Sequence, residues 1–459
     1  MMSNPMAGKT CWIPLAPLAL IFALAACDGD DKRAGSGSGK PETGPATGIL
    51  TDAAVAGVTY LASSGAAGTT DERGRYNYTH GDTVEFRLGS LVLGKGKGAR
   101  ILTPIELAGD NSNRLQNILI LFQSLDVDGN PENGIFIPAD AAAAMSASLN
   151  LDIDPAEFAA SAELQHARQV AGIAGPARTV EEANAHFLSQ GMRLLSTDIW
   201  VAHDATMAVA IRASTEGSGE YLQGEATPDD SCDVNRVCGS KLVSTAGVEY
   251  GAARMSEFDT RGFKFAGAPV IDTNLRAGLS HTRPNWRIRI DGSGLIATDI
   301  VAAPSKLKPA TSAFNPGSLI KTTAEEPVRT MVTESRYPRM EDDPGGIVGA
   351  WVSDTSTIKT QTYLFFSDGK FMMVDPIGDP ERPGHSSCGG PGVEFASYTF
   401  DSSSKSLNVR GFTYDSNGCA GFSLNETASF KMGADSSTAI LETRSGTPLT
   451  LYRISGGNP

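Results

Sequence analysis

The sequence predicts a mainly β protein with a small helical insert, in which a β-sandwich-like module precedes two tandem antiparallel meander domains of barrel-like form. Three observations predict it. Gly and Pro make up 50 + 25 = 75 of 459 residues, about 16% against the ~12% of average usage, as expected of short strands joined by tight turns. Alternating apolar and polar residues recur between those turns, the period of a half-buried strand. In the second half, short segments repeat in the same order at nearly constant spacing. Hydrophobic residues are 41% of the chain, enough for packed cores. The charges sum to 38 − 52 = −14, a balance unsuited to a phosphate backbone, so nucleic acid is not an expected partner.

The chain opens on an address. Lys9 precedes an apolar run from Trp12 through Ala26, shorter than the ~20 residues a membrane-spanning helix needs but of secretory proportions. The run ends in Leu24-Ala25-Ala26-Cys27, which resembles a bacterial lipobox. The resemblance implies that residues 1–26 are a signal peptide and that Cys27 becomes acylated, with palmitate-type chains, as the new N-terminus. Each buried lipid methylene contributes ~0.8 kcal/mol, so several chains hold a soluble body at a membrane. Residues 27–47, with Gly35-Ser36-Gly37-Ser38-Gly39, read as a flexible tether. The expected place is the bacterial cell envelope, at the outer membrane or the periplasmic face of the inner one. Asp28 beside Cys27 resembles an inner-membrane retention signal of enteric lipoproteins.

Beyond Cys11 and Cys27, four cysteines remain: Cys232, Cys238, Cys388 and Cys419. Four Cys allow three pairings. The local pairs Cys232–Cys238 and Cys388–Cys419 are favoured, since each falls within one domain. Zinc is the competing reading, but no CxxC occurs and only His385 lies near; an oxidising compartment favours disulfides.

Residues 48–107 form the β-sandwich-like module. Val58-Thr59-Tyr60-Leu61, Gly74 through Tyr78 and Thr83 through Phe86 alternate, within the longer segments Val55-Ala56-Gly57-Val58-Thr59-Tyr60, Gly68 through Tyr76, Gly81 through Gly89 and Leu102-Thr103-Pro104-Ile105. In that order they resemble the carboxypeptidase-regulatory-like, Ig or transthyretin-type modules of proteobacterial envelope lipoproteins. That resemblance implies a spacer or binding module. Residues 108–197 are the helical insert. Leu115, Ile118, Leu119, Phe122 and Leu125 make an apolar stripe. Asp154-Pro155-Ala156-Glu157 places an N-cap followed by Pro at the first helical position. Thr179-Val180-Glu181-Glu182 reads as a capping box.

The two β domains span 198–303 and 346–459, with 304–345 read as a linker. Three echoes relate them. Gly247-Val248-Glu249-Tyr250-Gly251 matches Gly392-Val393-Glu394-Phe395-Ala396 (392 − 247 = 145). Arg261-Gly262-Phe263 matches Arg410-Gly411-Phe412 (410 − 261 = 149). Asp272 through Ser280 matches Asp415 through Ser423 (415 − 272 = 143). In the second copy, eight strands in meander order predict a closed barrel, which removes exposed edges. Gly349-Ala350-Trp351 and Arg453 resemble the lipocalin (calycin) signature, a first-strand Trp under a last-strand basic residue. The first copy offers Asp198-Ile199-Trp200 but no matching terminal Arg. Tyr363, Phe365, Phe366 and Phe371 either line a ligand cavity or fill a core; small barrels usually pack solid.

For chemistry, Asp126, Asp128 and Asn130 stand at positions 1, 3 and 5 of a Ca²⁺-loop-like stretch, the one place where the sequence offers a cofactor. The match fails at Pro131 and Ile137, and a loop whose side chains cap their own backbone is the stronger reading. No zinc helix, nucleophile elbow or phosphate loop is present, and the six His lack ligand spacing. The expected function is therefore a lipid-anchored, non-enzymatic binding role toward an unknown envelope component or other ligand. The alternatives are an envelope enzyme acting on glycan or lipid through carboxylates that only folding unites, and a structural spacer.

Overall fold

The computed structural model describes residues 43–214, 217–226, 246–274, 278–282, 284–292, 294–302, 330–378, 390–417, 421–422, 426–443 and 447–454. The N-terminal module is built from β1 (Pro45–Leu50), β2 (Val55–Ala56), β3 (Thr59–Ala62), β4 (Ala67–Thr69), β5 (Arg75–Thr79), β6 (Thr83–Leu88), β7 (Leu91–Lys97) and β8 (Ile101–Leu102). One sheet has the order β5-β1-β8, the other β4-β3-β6-β7. Strict alternation in β5 and β6 turns Tyr76, Tyr78, Val84, Phe86 and Leu88 inward. Tyr76 bridges the sheets, 5.9 Å from the Tyr60 ring and 5.2 Å from Phe86, both edge-on. The expected sandwich-like module is thus present.

The helices begin before the expected boundary at 108, with α1 (Pro104–Ala108) inside the stretch read as module because Thr103 and Glu106 close a capping box there. The insert continues with α2 (Ser112–Ser124), β9 (Ile135–Phe136), α3 (Ala139–Ala144), α4 (Pro155–Ala159), α5 (Ala162–Val170) and α6 (Val180–Leu195). The start signals operate as read: Asp154 accepts from the Ala156 and Glu157 amides, and Thr179 with Glu182 closes a capping box. α2 is buried nearly all round, so it runs through the core rather than along its surface. α6 lies on the first β domain, where Phe187 packs against Phe258 and Phe263 at 4.9 and 4.8 Å. Gly191 permits that approach, since a Cβ there would stand 2.6 Å from the Phe263 ring. Among the described residues no helix is long and apolar enough to cross a membrane.

The first β domain is an eight-stranded meander: β10 (Ile199–Val201), β11 (Met207–Ala213), β12 (Ser218–Glu225), β13 (Gly247–Asp259), β14 (Gly262–Asp272), β15 (Arg287–Ile290), β16 (Gly294–Ala302) and β17 (Thr330–Pro338). β17 falls inside the stretch 304–345 read as linker, so this domain extends past its expected end. The sequence gap between β16 and β17 hid their pairing, which runs over nine residue pairs from Gly294↔Pro338 to Ala302↔Thr330. The sheet nearly closes through a single bridge, Trp200↔Arg339, and a bond from the Met340 amide to the Ile199 carbonyl.

The second β domain is a closed barrel of β18 (Gly349–Val352), β19 (Thr362–Phe365), β20 (Lys370–Asp375), β21 (Gly392–Asp401), β22 (Ser406–Asp415), β23 (Thr427–Met432), β24 (Thr438–Glu442) and β25 (Leu449–Ile454). A ladder of three pairs, Ala350↔Ile454, Trp351↔Arg453 and Val352↔Tyr452, shuts it. The barrels meet through the outward faces of their early strands: Ile199, Val201, Leu222 and Val248 share an apolar cluster with Leu364, Met372, Val374 and Phe395. The backbones approach closely there, for a Cβ on Gly224 would fall 2.3 Å from a Val374 methyl.

Candidate functional site

The first and third echoes come together in space, at one end of each barrel. Glu249 lies in β13 and Glu394 in β21, the fourth strand of its barrel, and each is fully buried. Directly across, at the end of the fifth strand, stand Asp272 and Asp415. The next residue repeats its contacts as well. The Val248 amide donates to Thr273 Oγ1 at 2.8 Å, and the Val393 amide to Ser416 Oγ at 2.9 Å. One position further, Asn274 and Asn417 are each 1% exposed, and neither amide atom of either finds a partner among the described residues. Gly278 and Gly421 (421 − 278 = 143) then lay backbone on the glutamate. Both have positive φ, 83° and 73°, and a Cβ would meet Oε1 of Glu249 or Glu394 at 2.4 or 2.3 Å; only glycine fits both demands.

The second echo is not equivalent. Arg261-Gly262 forms the turn between β13 and β14, whereas Arg410-Gly411 sits within β22 at an irregularity of the ladder. The equivalent hairpins differ by two residues, since 272 − 249 = 23 and 415 − 394 = 21. That difference accounts for offsets of 145 and 143 and leaves no room for 149.

The two pockets differ in the groups that face the glutamate. In the first, Glu249 Oε2 accepts from the Tyr221 hydroxyl at 3.0 Å and the Ser280 amide at 3.2 Å, and Oε1 accepts from Ser280 Oγ at 2.9 Å. Burial pushes this carboxyl up, and the bonds from Ser280 and Tyr221 pull it back. Burial and the neighbouring Glu249 push the Tyr221 phenol up. Gln223, opposite Glu249, accepts from the Leu279 amide at 3.0 Å. In the second pocket Phe371 and Met373 occupy the register positions of Tyr221 and Gln223. There Glu394 accepts from the Phe422 amide at 3.1 Å, and its Oε1 is buried with no partner among the described residues. Burial first, and Asp415 second, raise Glu394 well above the usual carboxylate range.

A third ligand-type side chain joins the first pocket. His281 closes the turn after Gly278, with Nδ1 2.7 Å from Ser280 Oγ and 4.0 Å from Glu249 Oε1. One ligand atom from each of Glu249, Asp272 and His281 lies within 4.8 Å of the others. At the matching position of the second copy (281 + 143 = 424) the sequence has Leu424.

The residues singled out in the sequence fall elsewhere. Trp351 is fully buried with its indole N–H on the Ile347 carbonyl at 2.9 Å, and the Arg453 guanidinium covers its face at 4.2 Å. Arg453 also donates to the carbonyls of Val348 (2.9 Å) and Ser436 (3.0 Å), to Gly346, and to Asp342. Gly349, with φ 135°, leaves room for that guanidinium, since a Cβ would stand 2.9 Å from Arg453 Nη1. The first barrel does have a partner for its Trp: Arg339 bridges Trp200, which sequence order concealed because Arg339 follows β17. Phe365 stacks with Phe371, Phe430 and Tyr398, and Phe371 with Phe422, so these rings fill the second barrel.

In the Ca²⁺-like loop Asp128 accepts from the Asn130 amide (2.8 Å) and the Asn133 side chain (2.9 Å), and Asp126 from the Phe136 amide (3.0 Å). One buried oxygen, Asp126 Oδ2, bonds nothing among the described residues. Burial lifts the Asp126 carboxyl to about 6. The loop's carboxylates are committed mainly to capping their own backbone. Cys27, Cys232, Cys238, Cys388 and Cys419 lie outside the described residues.

Two features carry no local sequence signal. Asp52 is wholly buried beneath α6, bonded by Gln123 at 2.9 Å, and burial lifts it to about 7 although His186 pulls it down. His186 spans from the Asp52 carbonyl (2.9 Å) to Glu132 (2.8 Å). Second, a cleft of about 910 Å³ opens between the sandwich-like module and α3, lined by Thr59, Thr69, Asp71, Arg73, Phe136 and Ala142 among others. The chain matches no known family, no curated protein and no solved structure.

Proposed function

We propose that the chain is an exported, lipid-anchored protein of the bacterial cell envelope that binds a ligand without converting it. Cys27 and the Gly/Ser tether of the sequence supply the anchor and the reach. The observation that carries the reading is the cleft at the edge of the N-terminal module. It is roomy at about 910 Å³, its wall includes the half-exposed Phe136 ring, and Asp71, Arg73 and Arg75 bring charge of both signs. An apolar anchor beside a few polar groups is what a recognition site needs. The second barrel, packed with aromatic rings, has its interior already occupied by its own chain.

The test is retention of envelope components by the purified mature chain, compared with a Phe136→Asp, Arg73→Glu variant. A component held by the parent and lost by the variant is expected; equal retention by both would remove the cleft from the proposal. Membrane fractionation of Cys27→Ser material checks the anchor, since a variant that still sediments like the parent contradicts it. A second reading, an envelope enzyme acting on glycan, is favoured by one observation: Glu249 faces Asp272 across two strands. It predicts glycan hydrolysis by the parent that Asp272→Asn abolishes.

A further inference from the structure

We infer that the first barrel carries a divalent-cation site formed by Glu249, Asp272 and His281, and that the ion it fits is of the Zn²⁺ class. This inference stands apart from the ligand-binding reading and rests on different residues. A strand, a strand end and a turn each contribute one ligand, and the three donor atoms already lie within 4.8 Å of one another. Bonds of ~2.0–2.1 Å would need them roughly 3.3 Å apart. Glu249 is buried, whereas Asp272 is partly exposed and His281 exposed, so the closing movement falls on the latter two. Three protein ligands leave a fourth tetrahedral position for water. One imidazole with two carboxylates suits a borderline ion; Ca²⁺ demands six to eight oxygens, more than this set provides.

The surroundings are those of a supported ligand set. Tyr221 and the Ser280 amide hold Glu249 Oε2, and the Ser280 hydroxyl stands between Oε1 and His281 Nδ1, 2.9 Å from one and 2.7 Å from the other. Hydrogen bonds of this kind orient a ligating carboxylate, and an ion drawn between the two would displace that hydroxyl. Gly278 lets the turn bearing His281 lie directly on Glu249. Two residues beyond Asp272, Asn274 is 1% exposed with neither amide atom bonded among the described residues. The second barrel is the internal control: it repeats Glu394, Asp415, Gly421 and Asn417 but has Leu424 where the first has His281.

The experiment is calorimetric titration of Zn²⁺ into the purified mature chain, alongside His281→Leu and Asp272→Asn variants. The expected result is one tight site in the parent, weakened at least tenfold in each variant, with a Zn²⁺-dependent rise in melting temperature that the variants lose. His281 is exposed, and the melting temperature of each variant without Zn²⁺ shows that its fold is kept. No Zn²⁺ uptake by the parent would overturn the inference, and so would Zn²⁺ held equally by the parent and His281→Leu, whichever residues then hold it.

Discussion

Two barrels of eight strands follow one plan in this molecule and differ at the seam and in the acid pocket. Each begins with a buried Trp whose indole N–H is held 2.9 Å from a carbonyl just upstream, Leu195 for Trp200 and Ile347 for Trp351. Each sets an Arg opposite that Trp as the sheet comes round. The second barrel shuts with a three-pair ladder and a guanidinium stacked on the indole; the first shuts with one bridge, and Arg339 turns to Asp198 at 3.7 Å. The plan is therefore carried by strand order, the Trp and the Gly-backed acid pair. What fills the space around the acid is free to diverge, toward rings and Met in one copy and toward hydroxyls, an amide and a His in the other.

The largest expected effect tests the shared plan. Trp351→Ala and Trp200→Ala each remove a fully buried side chain and should each cost about 3–5 kcal/mol of unfolding free energy by denaturant titration. A small loss for Trp200 alone would mean that the two first strands are not equivalent. The seam comes next. Arg453→Ala leaves four backbone or carboxylate acceptors and an aromatic face uncovered, an expected loss of about 2–3 kcal/mol. Arg339→Ala, at a side chain 36% exposed, should cost under about 1 kcal/mol. Similar losses would erase the distinction between the seams.

The acid pockets should diverge by smaller amounts. Glu249→Gln sets an amide against three donors and should cost about 1–2 kcal/mol, whereas Glu394→Gln at pH 7 should be neutral or stabilising. The sign follows from the raised carboxyl of Glu394: the folded state binds its proton more tightly than the unfolded chain. Its contribution is complete below the ordinary carboxylate range and is lost as pH rises through the folded value. The second barrel should therefore weaken as pH climbs from about 4.5 toward neutrality, and Glu394→Gln should flatten that slope. An unchanged slope would assign it to another group.

Much of the fold was legible because it is written in local period. All eight strands of the second barrel and the caps of α4 and α6 follow from alternation, turn residues and N-cap chemistry. The eighth strand of the first barrel was not, because β17 is separated from β16 by 330 − 302 = 28 positions of sequence and pairing across such a gap leaves no local mark. The acid pocket was half legible: the echoes named Glu249, Asp272 and their counterparts, but only the register sets them face to face. His281 carries no such mark, since its neighbours in the site lie 281 − 272 = 9 and 281 − 249 = 32 positions away, outside any ligand spacing a single helix or turn produces. Asp126, Asp128 and Asn130 show the reverse, a ligand-like spacing that the fold uses largely for capping.

The central claim is that one barrel plan is used twice and sealed only once. Native-state hydrogen exchange on the strands at each seam tests it most directly. The account predicts that amides of β10 and of the Pro338–Met340 segment exchange well before those of β18 and β25. Equal protection at the two seams, or earlier exchange in the second barrel, would contradict it.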